Sequence, residues 1–206
     1  MLDFIQASPV ASAIFIFTIF TTLYTLYVDR QVLGQLMLHP YSFARGKNRF
    51  TIITSGLIHA DLNHLFFNML SYFFFAFTLE RIVGHWQFLL IYILGLTLSD
   101  ISTIIKNKNN SQYYSLGASG AVSAVLFSYI LFDPLTKLYF FFIPVGIPAF
   151  VFAGLYLVYC VYAAKKQYGN INHEAHLWGA VTGWVVTIIL YPQVVMYFIN
   201  QLKGSL

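Results

Sequence analysis

Apolar residues in this chain come in long runs separated by short polar intervals, and the runs are helix-length. A hydrocarbon core of about 30 Å needs roughly 20 mostly apolar residues in a helix. Six stretches qualify: Val10–Val28, Leu62–Leu79, Trp86–Ile105, Leu116–Phe132, Leu138–Ala164 and Ala175–Ile199. The pattern predicts an all-α membrane protein, a bundle of six transmembrane helices forming one domain over residues 1–206. The first stretch lacks a basic n-region and a small-residue cleavage site, so it reads as a retained span and not a signal peptide.

The polar intervals are uneven. Arg30 to Asp61 is the longest, and it carries Arg30, Arg45, Lys47 and Arg49 beside apolar pieces, "QVLGQLML" and "TIITSGLI". Such a loop between helices 1 and 2 suits a position partly embedded at the membrane interface. Arg81–His85 reads as a tight turn, "KNKNNSQ" (106–112) as a polar loop, "DPLTK" (133–137) as a Pro-turn and "KKQYGNIN" (165–172) as a short polar connection. No internal repeat or low-complexity segment is visible.

Composition agrees with this pattern. Hydrophobic residues make up 59% of the 206 and charged residues 9%, with mean hydropathy +0.71, against roughly 25% charged in a soluble domain. The net charge of +4 is scattered, with no basic run or aromatic-basic interleave to suggest nucleic acid. The single cysteine, Cys160, excludes an internal disulfide and reads as packing. With six spans, the side holding the N-terminus carries Arg81, Lys137 and Lys203, and the other side carries the remaining eight Lys and Arg. The positive-inside rule applied to that count places the N-terminus outside.

Polar and ionisable groups inside spans are expensive and point to function. In "HADLNHLFFN", His64 and Asn68 are i and i+4 and share one helical face. Both donate hydrogen bonds, either to stitch helices together or to serve a reaction. His59 sits at the mouth of that helix and reads as a structural residue of the wet interface. "GASG" opens the fourth span. Ser119 lies there among unpaired backbone N–H groups at the positive end of the helix dipole, which suits a developing oxyanion. The same stretch also reads as a packing face, because Gly117 and Ala121, then Gly120, Ala124 and Ser128, repeat at i+4.

In "AHLWGAVTG", His176 is followed by Gly179 and Gly183 at i+3 and i+7. A histidine beside a small-residue stripe faces a helix that approaches closely. An imidazole–serine hydrogen bond needs roughly 2.6–3.2 Å between heavy atoms, and small residues on both the Ser119 and the His176 helices permit that approach. Among the acids, Glu80 ends the second span beside Arg81, Asp100 lies in the third, and Glu174 points to another face than His176. None is placed as a third catalytic member, so the unit is a Ser119–His176 dyad, His176 taking the serine proton and returning it to the leaving amine.

With "HLFFN" on the second span, "GASG" opening the fourth and "AHLWGAVTG" on the sixth, the chain resembles the rhomboid intramembrane serine proteases over almost its whole length. The resemblance implies Ser119 as nucleophile, His176 as general base, and an oxyanion hole of His64, Asn68 and the Ser119 backbone N–H. The small-residue spacing itself gives Gly117, Gly120, Gly179 and Gly183 a role in helix packing. No cofactor or metal is implied. The partners implied are transmembrane-protein substrates and the lipid bilayer. The loop from Arg30 to Asp61 would flank the site, Glu80 would help to hold that loop, and the fifth span with the 165–172 connection would gate and cap it. The family's compartment would be a prokaryotic plasma (inner) membrane, with the site opening to the extracytoplasmic side and the N-terminus inside. That orientation conflicts with the charge count. The family placement is preferred because four of the eight charges lie in the long loop and few charges flank the first span.

Two departures stand out. Where the family often has Trp-Arg in the first loop, this chain reads "NRFTI", with Thr51 at the arginine's place. Four residues after the nucleophile, where the family often has an aromatic stacked on the catalytic histidine, this chain has Ser123.

Two rivals remain. "NHEAH" sets His173 and His176 at i+3, one residue short of the His-Glu-x-x-His metalloprotease spacing, with His59 and His64 as further candidate ligands. The other rival is a catalytically inactive rhomboid-like module for binding or quality control of membrane proteins.

Overall fold

The computed structural model describes residues 6–140, 143–166 and 171–204. The chain runs α1 (Pro9–Tyr27), α2 (Arg30–Leu36), α3 (Pro40–Phe43), α4 (Thr51–Thr54), a 3-10 turn (Ser55–Leu57), α5 (Leu62–Val83), α6 (His85–Asn107) and α7 (Ser119–Phe132). It continues through β1 (Lys137–Phe140), β2 (Ile143–Pro148), α8 (Ala149–Lys166), α9 (His173–Leu190) and α10 (Val194–Gly204). Local chemistry sets several of these ends. Pro9 opens α1 where its missing N–H is not needed. Asp61 caps α5 by accepting from the His64 N–H at 2.8 Å. Gly84, at φ +84°, ends α5 and lets α6 begin at the next residue.

Among the described residues, α1, α5, α6 and α8 are each long and apolar enough to cross a membrane, and α9 with α10 makes a fifth if the bent pair is one span. Their outer faces carry large apolar side chains such as Phe20, Phe67, Phe74, Val158 and Ile189. This is a multi-pass helical membrane bundle.

Three of the six sequence-predicted stretches differ from the helices found. The Leu138–Ala164 stretch starts as a hairpin, β1 antiparallel to β2 with Lys137 opposite Pro148 and Leu138 opposite Ile147. Pro144 and Pro148 supply the reason: proline lacks the N–H and the room that a helix interior requires, and α8 begins just after the second. The Ala175–Ile199 stretch breaks at Tyr191–Gln193, around Pro192, and α10 turns 107° away from α9. The fourth helix starts at Ser119, three residues after Leu116, and its 14 residues extend only about 21 Å.

That short helix is the centre of the molecule. It packs against α5, α6, α8, α9 and α10, and every residue from Gly120 to Ser128 is buried. Small residues make this possible. A Cβ on Gly179 or Gly183 of α9 would collide with the α7 backbone at Gly120 or Ala124, and one on Gly95 of α6 would strike Ala124. Hydrogen bonds from Ser128 Oγ to the Gly183 carbonyl (3.1 Å) and from Thr187 Oγ1 to Ser128 Oγ (2.7 Å) tie α7 to α9 lower down.

The long first loop is anchored without the Trp-Arg pair. Leu38 and Ser115 exchange backbone hydrogen bonds of 2.9 Å, His39 Nε2 bonds the Ser111 carbonyl (3.1 Å) and Arg45 donates to the Lys108 carbonyl (2.9 Å). The loop is thus tied to the segment that leads into Ser119. Glu80 has a different task from the loop anchor that the resemblance implied. Fully buried, it accepts from the N–H groups of Val10 (3.1 Å) and Ala11 (2.7 Å) and from His85 Nδ1 (2.6 Å), which fixes the start of α1 by a carboxylate at a helix N-terminus.

Candidate active site

Three helices supply the candidate residues: α5 gives His64 and Asn68, α7 gives Ser119 and Gly120, and α9 gives Ala175 and His176. All six line one cavity of about 550 Å³. The approach of α9 that Gly179 permits, with its Cβ position against the Gly120 carbonyl, brings the His176 turn over the Ser119 turn. Both Ser119 and His176 are half-buried. Among the described residues no hydrogen bond joins Ser119 Oγ to His176. Catalytic hydrogen bonds are often long before substrate arrives.

The turn before α7 is built for close approach. Gly117 has φ +114°, a left-handed conformation that a side chain strains, and a Cβ there would lie 2.7 Å from His64 Cε1 and 2.9 Å from Nε2. Gly117 therefore sits against the His64 ring, before the helix begins. The N-cap residue of α7 is Ala118, with no side-chain cap, and among the described residues no side chain bonds the first-turn N–H groups, that of Ser119 among them. Asn68, buried on α5, donates one amide hydrogen to the His64 carbonyl at 3.0 Å.

Two positions carry more than the sequence reading gave them. His59, assigned there to the wet interface, is fully buried. Its Nε2 accepts from the Ala118 N–H at 3.5 Å, which leaves Nδ1 to donate to Thr22 Oγ1 at 3.1 Å. Its ring meets His64 edge-on with centroids 4.8 Å apart. Burial, and then the neighbouring His64, holds His59 down to about 3, so it is neutral. His59 thus links α1, the GASG turn and His64. The i–5 spacing of His59 and His64 was the signal available for it.

The second is Tyr156 on α8. Its ring lies parallel to His176 (13° between planes, centroids 6.4 Å), within the range of an offset stack. Its hydroxyl bonds Ser123 Oγ at 3.0 Å. The missing aromatic at 123 is thus replaced from another helix, and the serine in its place holds the replacement. Around the second histidine of "NHEAH", His173 meets His176 edge-on at 6.0 Å. Among the described residues no three His, Cys, Asp or Glu side chains gather to hold a metal. The middle of the 165–172 connection, expected to cap the site, lies outside the described residues.

A family model described as the Rhomboid domain matches residues 47–193. The chain is 31% identical over 140 residues to a putative rhomboid protease YdcA of Bacillus subtilis, covering 67% of this chain and 65% of that one. It is 28% identical over 175 residues to the mitochondrial RHOMBOID-like protein 12 of Arabidopsis thaliana, covering 77% and 51%. It is 29% identical over 143 residues to the presenilin-associated rhomboid-like protein, mitochondrial, of Rattus norvegicus, covering 66% and 37%. The chain thus spans between about a third and two thirds of the length of these relatives.

Proposed function

The chain belongs to the rhomboid family, and from that premise we propose that it is an intramembrane serine endopeptidase acting on transmembrane-protein substrates. The observation that carries this reading is the common cavity of Ser119, His176, His64 and Asn68, residues drawn from three helices. In the proposed reaction His176 takes the Ser119 proton as Oγ attacks the scissile carbonyl. The oxyanion is held by His64, Asn68 and the Ser119 N–H. His176 returns the proton to the leaving amine, and water then resolves the acyl-enzyme. Tyr156 and His59 serve as positioning residues, one for the base and one for the GASG turn. A substrate helix must unwind locally, since a helical carbonyl is already bonded and shielded, so small or helix-breaking residues near the cut are favoured.

The reading treats residues 1–206 as one domain crossing six times, with α7 and the α9 segment as the fourth and sixth crossings. It sets the protein in a prokaryotic plasma membrane with the cavity opening to the extracytoplasmic side. The test is cleavage of a transmembrane reporter in liposomes. Wild type cleaves it and Ser119→Ala does not. A folded wild type inert on reporters with a small residue and a helix-breaker at the cut overturns the reading in favour of the non-catalytic module.

A further inference from the structure

The cavity has a second chemical feature that the dyad does not use. Two carboxyl groups line it, Asp61 and Asp100, and no lysine or arginine does. Asp61 is accounted for by its cap on α5. Asp100, on α6, is 7% exposed, and among the described residues it forms no hydrogen bond and no ion pair. Lys106, six residues on, is engaged with Glu174 at 2.6 Å. The site's own imidazoles, whose rings meet other neighbours (His64 with His59, His176 with Tyr156 and His173), form no bond to Asp100 among the described residues.

Position sharpens the point. Ser99, the preceding residue, packs directly under the nucleophile turn, since a Cβ on Gly120 would collide with Ser99 Oγ. Asp100 therefore lies one residue from the wall beneath Ser119. Tyr113 lines the same cavity, and its phenol is pushed up by burial and then by the charge of Asp100. A carboxylate without a partner in a low-dielectric wall is costly, and such groups are found paired. Here the open direction is into the cavity where the substrate backbone must lie.

Resting on the proteolysis reading, we propose that Asp100 is a specificity-determining residue that receives a basic side chain of the substrate, lysine or arginine, close to the scissile bond. Long basic side chains bury their stems along apolar surface and place the charge at the end. An incoming cation would thus supply the charge partner that the described residues do not.

The experiment uses the full chain in liposomes and one transmembrane reporter. Each of the positions flanking the cut carries Ala, Lys or Glu in turn, and kcat/KM is measured for wild type, Asp100→Asn and Asp100→Glu. At one position wild type prefers Lys to Glu by about tenfold or more, a difference of one good ionic contact. Asp100→Asn brings the ratio to near unity and Asp100→Glu keeps it. Ala reporters cleaved normally with the same Lys-to-Glu ratio in wild type and Asp100→Asn overturn this proposal and leave the protease standing. If Asp100→Asn fails to fold, the wild-type ratio decides: near unity at every position, it overturns the proposal. A wild type that cleaves no Ala reporter removes the protease reading and this proposal with it.

Discussion

From Gly120 to Ser128 helix α7 is buried at every position, whereas α8 buries only Ala149, Ala153, Cys160 and Ala163 and turns Leu155, Val158 and Tyr162 outward. Both helices are apolar along their lengths, so hydrophobicity does not separate them. Residue size does. In a membrane the lipid is as apolar as a leucine, and helices associate where small residues allow backbones to meet and polar groups to pair. The α7 helix offers Gly120, Ala121, Ala124 and Ser128 to Gly95, Gly179 and Gly183; α8 offers one narrow small-residue stripe. The buried helix carries the nucleophile, and the peripheral one reaches His176 through Tyr156.

Outside the dyad itself, the largest effect expected falls on the α5 side of the α7 turn. His64→Ala and Asn68→Ala each lower kcat/KM on a transmembrane reporter by about a hundredfold or more, the usual cost of one oxyanion donor, with unfolding midpoints little changed. Next comes the α7–α9 contact. Gly179→Ala places a methyl on the Gly120 carbonyl and costs about 1–3 kcal/mol of stability, read by chemical unfolding in detergent, with activity falling as His176 is pushed away from Ser119. A smaller effect lies where α8 touches the site. Tyr156→Ala loses about tenfold in kcat/KM, while Tyr156→Phe, which keeps the ring and gives up the hydroxyl with its Ser123 bond, loses about threefold or less. The smallest belongs to the outer face of α8. Nothing lies within 4 Å of a Cβ at Gly154, so Gly154→Ala leaves stability unchanged or raises it by up to about 1 kcal/mol. Equal losses from Gly179→Ala and Gly154→Ala in the same unfolding assay would erase the contrast between the two helices.

Much of this arrangement was legible before the structure. Long apolar runs gave the spanning helices, and the three short motifs named the residues that meet in one cavity, because i, i+4 spacing and glycine stripes are local signals with direct geometric meaning. What the run lengths hid was punctuation by proline: Pro144 and Pro148 sit inside an apolar stretch that turns out to begin as a hairpin, and Pro192 breaks the last one. Pairings between distant segments were also hidden. The sequence has no local sign that Tyr156 replaces the aromatic absent at 123, that Glu80 holds the first helix and not the first loop, or that His59 reaches Ala118. Each depends on where another helix lies.

The central claim is that Ser119 is an activated serine and His176 its base. The most direct measurement is labelling of the purified protein in detergent with a fluorophosphonate probe, comparing wild type with Ser119→Ala and His176→Ala. Labelling of the wild type that disappears in both variants is the predicted result. A folded wild type that takes up no label, or label that persists in Ser119→Ala, would contradict it.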